Sequence, residues 1–299
     1  MTAPQITVVG ASGWLGRTLV HEYASVYGPD SLHRLRLYGS RDSILRLSGP
    51  HEGVCLPVSP LLSLGASDIA QSSALFWYAF VLRNRFAELG AAKYRKTNDD
   101  IASRVMSVID SRADMPVVFA SSGVALERGG IPTYDDDPYA HLKLVYEQRL
   151  QGRRNLSVLY PYAVTGMYMG EPHKFALGSF IQQQRRSGSI AIEANGPVIR
   201  SFGSAHDLSR LLLASLVRGG PLPRRVVPIS FTLDLVQLGV EVAAALGSEP
   251  NVQVGELNGS PDKYCSDDPT FGVQLAALGI RPTPVAEQIR VTSRGPMFE

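Results

Sequence analysis

The stretch VVGASGWLG, residues 8–16, limits what this chain can fold into more than any other. The β-branched run 6–9 reads as a buried parallel strand, and from Trp14 onward Leu15, Leu19 and Tyr23 share one face of a helix. Three glycines sit at that change of period. Gly10 lets the chain reverse tightly, Gly13 lets backbone approach a phosphate without a Cβ in the way, and Gly16 lets the helix pack on the strand. The N–H groups that open the helix would then face an anion. Gly10, Ser12, Gly13, Trp14, Leu15 and Gly16 are the residues expected to line it. An ordinary strand-to-helix turn is the alternative, and the rest of the chain decides between them.

Strand-like runs at 35–38, 54–58, 74–81, 117–120 and 156–160 alternate with amphipathic stretches. That alternation predicts an α/β fold, a doubly wound parallel Rossmann sheet with helices on both faces, whose ligands bind at the carboxyl ends of the strands. After about Gly166 the order changes, and 232–246 and 268–278 read as helices with only short strands around them. The expected division is a cofactor-binding core over 1–165 and a smaller, mixed substrate-binding lobe over 166–299, interleaved with the core's last strands and helix.

A chain of 299 residues that is 44% hydrophobic can bury a large core. Its 29 basic and 27 acidic residues are spread along the sequence and leave a net charge of +2, which offers no footprint for nucleic acid or an anionic membrane. A small-molecule ligand is the expected partner, with a homodimer as the most that self-association would add. No apolar run has the length of a membrane span, and MTAPQITVVG enters a strand without a charged leader and apolar signal core, so a soluble cytoplasmic protein is expected. Cys55 and Cys265 lack neighbouring Cys or His at metal spacing and read as two reduced thiols; no metal site is expected.

The end of the second strand, LRLYGSRDS, bears on the cofactor. A carboxylate at this place would take the ribose hydroxyls of NAD and repel a 2′-phosphate, whereas Gly39 followed by Ser40 and Arg41 would accept one. NADP is therefore expected ahead of NAD. The alternative is that Arg41 is a solvated arginine and Asp42 takes the ribose.

Two further segments complete a set. VVFASSG carries Ser121 and Ser122 at the carboxyl end of a predicted strand, and DDDPYAHLKLVYEQRL opens a helix, with Asp135 to Asp137 suited to its N-terminus and Pro138 to its first turn. Tyr139 and Lys143 are then i and i+4, on one face. A free phenol, with a pKa near 10, is too weak a base at neutral pH, and a nearby ammonium favours the phenolate. A serine hydroxyl aimed at the same oxygen orients it.

In this order the segments resemble the extended short-chain dehydrogenase/reductases that act on nucleotide-linked sugars. GASGWLG corresponds to the dinucleotide turn, and SS followed by YAHLK to the active-site Ser122, Tyr139 and Lys143. Asn98 in KYRKTN looks like the family's helix-four asparagine on the cofactor side. GPVIRSFGSAHDLSRLLLASL is similar to the segment where an arginine meets the nucleotide diphosphate, and Arg200 holds that place; LGIRP is also family-like. The resemblance implies NADP(H)-dependent reduction of a keto group on a nucleotide-diphosphate sugar. Tyr139 would be its acid and base, Ser122 would hold the oxygen, and Lys143 would take the nicotinamide ribose. A redox-neutral epimerase using the same Ser, Tyr and Lys is the alternative.

The departures narrow this. Family members that dehydrate sugars carry Asp-Glu after the active-site hydroxyl residue, and here Gly123 and Val124 stand there. LYPYAVTG puts Tyr160 and Ala163 where the family shows Arg-Pro or Arg-Tyr and an Asn, so sugar contacts do not carry over. The fourth predicted strand ends in WYAFV instead of a small-residue run, which changes the packing on the nicotinamide side. His173 and His206 read as surface or substrate-lining histidines with no proton-transfer role.

Overall fold

The computed structural model describes residues 2–128, 130–219 and 221–298. In chain order the first strands are β1 (Ile6–Val9), β2 (Leu35–Gly39), β3 (Ser43–Arg46), β4 (Cys55–Pro60), β5 (Ala74–Trp77), β6 (Val117–Ala120) and β7 (Leu156–Leu159). There follow β8 (Ala163–Thr165), β9 (Ile190–Ile192), β10 (Val198–Ser204), β11 (Arg225–Val226), β12 (Phe231–Asp234), β13 (Val252–Val254) and β14 (Asp262–Tyr264). The helices are α1 (Trp14–Tyr27), α2 (Ala66–Ile69), α3 (Phe86–Leu89), α4 (Ala91–Ile109), α5 (Gly123–Glu127) and α6 (Pro138–Leu150). They continue with α7 (Ala176–Ser187), α8 (Ala205–Val217), α9 (Leu235–Ala245), α10 (Thr270–Ala277) and α11 (Val285–Ser293).

The chain divides into two compact units, the first made of Met1–Leu47, His51–Tyr160 and Leu212–Val226 and the second of Ser48–Pro50, Pro161–Leu211 and Val227–Glu299. The first holds an eight-stranded sheet in the order β11-β7-β6-β5-β1-β2-β4-β3, parallel throughout except that β3 runs against β4. This is the doubly wound α/β fold expected. Every residue of β1, β5, β6 and β7 is buried, as strands covered on both faces must be. Strand order reverses between β1 and β5, so the crevice outside their carboxyl ends is where such a sheet takes a ligand.

Three sequence readings need correction. The run read as strand 74–81 stops at Trp77: the Tyr78 and Ala79 N–H groups both donate to Val9 O, which turns the chain out of the β6 ladder. The short β3, which had not been read as a strand, pairs antiparallel with β4. The helix read from 232 begins at Leu235, because Phe231–Asp234 form β12 and pair antiparallel with β10; only then does Asp234 cap α9, accepting from Gln237 N at 2.8 Å. The helix read over 268–278 is α10, from Thr270.

The second unit holds a four-stranded sheet of β8, β10, β12 and β14 and a separate pair, β9 with β13. Cys55 and Cys265 are free thiols. Among the described residues no helix is long and apolar enough to cross a membrane.

Candidate active site

The turn after β1 is shaped by contacts that only glycine permits. A Cβ on Gly10 (φ +92°) would lie 2.5 Å from Ala79 N, and one on Gly16 would lie 2.3 Å from Gly10 O. Gly13 differs: its Cβ would meet only Gly10 O, at 3.3 Å. Two of the glycines therefore let chain segments touch, and the third leaves a face open. Gly13 also caps α1, so no capping side chain stands over its N-terminus, and there is no acidic residue in the first turn. This opening concentrates partial positive charge and fits a pyrophosphate. Ser12 lies beside the end of β2, its Oγ 3.2 Å from where a Gly39 Cβ would stand. Ser40 and Arg41 follow at that strand end, both exposed. Trp14 and Leu15 start the helix, half-buried.

The second half of the site hangs from β6 and α6. Asp137 is buried beneath the start of α6, accepts from Ala140 N at 3.1 Å, and pairs with Arg128 at 2.8 Å and Arg83 at 3.6 Å. With Pro138 in the first turn, this cap fixes where the helix begins and so where Tyr139 stands. One turn on, Lys143 is buried and donates from Nζ to Ala120 O, the last residue of β6, at 2.6 Å. Burial pushes its pKa down to about 7. Ser122 follows Ala120 by two residues and caps α5, its Oγ accepting from Val124 N at 3.4 Å. Ser121 is spent elsewhere: its hydroxyl donates to Glu147 at 3.2 Å, and the Tyr160 hydroxyl donates to the other oxygen of the same carboxylate. Burial, with that carboxylate adding to it, raises the Tyr160 pKa.

Two residues here escaped the sequence reading. Glu147 continues the Tyr139 and Lys143 face by one more turn, a spacing that could have flagged it. Phe80 lays its ring 3.9 Å from Lys143 Nζ and meets the Tyr139 ring edge-on at 5.4 Å between centroids. Its only sequence signal was the departure WYAFV. Beside Tyr139 a cavity of about 280 Å³ opens, lined by Arg83, Phe86, Ala87, Tyr94, Pro138 and Tyr139.

Asn98 is buried on α4 and committed to its own chain. Its Oδ1 accepts from Val81 N at 2.8 Å, while Nδ2 donates to Tyr94 O at 3.2 Å and Val81 O at 3.5 Å. It thereby pins the segment that carries Phe80. Arg200 lies on β10 in the second unit, where it pairs with Asp262 Oδ2 at 2.5 Å and donates to Asp262 O at 2.9 Å and Ile199 O at 3.0 Å. His173 is exposed in a single 3₁₀ turn, Pro172–Lys174, and His206 is half-buried at the start of α8.

No protein-family model matches the sequence, and no curated protein does. Solved structures match over nearly the whole chain. UDP-N-acetylglucosamine 4-epimerase from Methanobrevibacter ruminantium M1, in complex with UDP-N-acetylmuramic acid, superposes with a TM-score of 0.70 at 16% identity, over 98% of this chain and 97% of that one. TunA, an NAD-dependent NDP-hexosamine 5,6-dehydratase of tunicamycin biosynthesis, gives 0.68 at 17% identity, over 96% and 95%. RMD from Pseudomonas aeruginosa, complexed with NADPH, gives 0.63 at 16% identity, over 97% of each. This chain therefore has the fold that these solved structures share.

Proposed function

We propose that the chain is an NADP(H)-dependent reductase of a keto group on a nucleotide-diphosphate sugar. The observation that carries this is the placing of Ser122, Tyr139 and Lys143 in the same unit as a glycine turn whose Gly13 side is open. The turn from Gly10 to Gly16 would hold the pyrophosphate, Ser40 and Arg41 the 2′-phosphate, and Lys143 the nicotinamide ribose. A bound nicotinamide would supply the two electrons of the reduction. Tyr139 gives its proton to the carbonyl oxygen, and Ser122 holds that oxygen by a hydrogen bond. Lys143 sits 5.8 Å from the Tyr139 ring, near enough for its charge to favour the phenolate left behind. Gly123 and Val124 open α5 with no carboxyl group, so a dehydration, which needs a second acid and base, is disfavoured. For the substrate diphosphate, Arg200 is the expected partner, its guanidinium held in place by Asp262.

The solved epimerases of this fold support a second reading, a redox-neutral epimerase with the same three residues. Following NADPH absorbance with keto sugar nucleotides separates the two. Stoichiometric loss of NADPH fits the reductase. Interconversion of two sugars with no net cofactor change replaces it with the epimerase. A melting screen of NAD, NADP and nucleoside diphosphates tests binding itself, since a ligand of the folded state stabilises by RT ln(1 + [L]/Kd). No shift with either dinucleotide would overturn both readings.

A further inference from the structure

We infer that Phe80 is a gate over Lys143: its ring must turn away before any ligand can reach the ammonium group. Lys143 Nζ already donates one bond to Ala120 O, and the ring covers it on another side at 3.9 Å. The Phe119 ring stands 5.4 Å from the same nitrogen and the Tyr139 ring 5.8 Å. The lysine is buried while Phe80 itself is half-exposed, so the ring separates the amine from solvent.

The backbone on either side of the ring is held fast. Ala79 N donates to Val9 O at 2.9 Å, Ala79 O accepts from Trp77 Nε1 at 3.0 Å, and Val81 N donates to Asn98 Oδ1 at 2.8 Å. Opening is therefore a rotation of the Phe80 side chain and leaves the loop in place. A cation over a ring in a desolvated setting is attracted to it, so the closed arrangement is favoured. A site open for only a fraction of the time binds more weakly by that fraction. The sequence departure WYAFV thus acts on the lysine.

The gate claim rests on the proposed function only in naming a dinucleotide as one visitor, and its first test needs no cofactor. Acetic anhydride labelling of Lys143, followed by mass spectrometry, should rise about tenfold in Phe80→Ala and less in Phe80→Leu, which keeps apolar bulk if the smaller variant fails to fold. Exposing the amine also returns its pKa toward the ordinary lysine value, so the rates compared are those for the fully neutral amine, taken from a series of labelling pH values for each protein. Equal labelling in wild type and both variants overturns the gate. The second arm is stopped-flow binding of NADP. Wild type should show a rate that saturates with ligand concentration, and the variants a rate that grows linearly. Linear growth in all three also overturns the gate. If no dinucleotide binds to any of them, the proposed function fails, and the labelling contrast alone decides for or against the gate.

Discussion

The glycine turn at residues 10–16 and the Tyr139–Lys143 face of α6 belong to one unit and are built by opposite means. The turn is made of backbone: Gly10 and Gly16 let segments touch, Gly13 leaves a face open, and the N–H groups there carry the same partial charge at any ordinary pH. The helix face is made of side chains, and its charge depends on what surrounds it. Lys143 is buried among Phe80, Phe119 and Tyr139, and burial alone brings its titration to about pH 7. The contrast teaches where function is set. In the turn the residue type nearly decides the outcome, whereas on the helix the neighbours do.

The largest expected effect tests the helix side. Because Lys143 has a pKa of about 7 when folded and the ordinary value of 10.5 when unfolded, the unfolded chain binds more protons between those pH values. Stability then rises with pH across that window, by a few kcal/mol and by about 5 at the upper limit. Below about pH 7 the full penalty of the buried charge is present. Lys143→Met should remove this rise, read as the difference in urea midpoint between the two proteins from pH 6 to 9.5. Parallel pH profiles would show that the amine is not dry. Next in size, Tyr139→Phe should lower turnover about 10² to 10⁴-fold with the dinucleotide Kd unchanged, because only the transferable proton is lost. Unaltered turnover removes Tyr139 from the chemistry.

The two halves also differ in how far the sequence revealed them. Strand 117–120 was legible to the residue, because Val117–Ala120 is wholly buried and leads into a hydroxyl pair. The cap and first turn of α6 were legible in Asp137 and Pro138. The glycine turn was legible because glycine stands where the backbone asks for it: at Gly10 for a positive φ and close backbone contacts, and at Gly16 for backbone contacts that a Cβ would crowd. β3 was not, since only Leu45 of its four residues is buried and no alternation marks it. β12 was hidden because its partner is β10, and a short strand running straight into α9 reads as the helix's first turn. The stacking of Phe80 on Lys143 joins segments distant in sequence, and no local pattern records it. Arg200 was found by resemblance, but its tie to Asp262 depends on the pairing of β10 with β14.

The turn's own division of labour can be broken one glycine at a time. In Gly16→Ala the new Cβ meets Gly10 O at 2.3 Å and Ala11 Cα at 2.7 Å, both backbone, so the helix must shift; a loss of about 1–3 kcal/mol is expected. In Gly13→Ala the nearest atom is 3.3 Å away and the conformation, at φ −78°, is open to any residue, so stability should change by less than about 1 kcal/mol. The cofactor should report the reverse. Gly13→Ala should weaken NAD and NADP alike, since both share the pyrophosphate that passes over that face. If melting and titration rank the two variants the same way, the open face of Gly13 is not a binding surface.

The smallest effect concerns the edge of the turn, where the backbone site gives way to a side chain. Arg41 is exposed at the end of β2, next to Ser40 and close in sequence to Gly39, whose missing Cβ leaves room for Ser12. If Ser40 and Arg41 take a 2′-phosphate, Arg41→Ala removes a charge-assisted bond worth about 1.5–3 kcal/mol, or roughly ten- to a hundredfold in the Kd for NADP. NAD lacks only that phosphate and should bind as before. Exposure adds a condition: the contact is screened by salt, so the NADP advantage of the wild type should shrink between low and physiological ionic strength, and that of Arg41→Ala should not. Four titrations at two salt concentrations give the answer. An NADP to NAD ratio that Arg41→Ala leaves in place would hand the ribose to Asp42 and withdraw the preference for NADP, and with it the main reason for placing a reductase ahead of an epimerase.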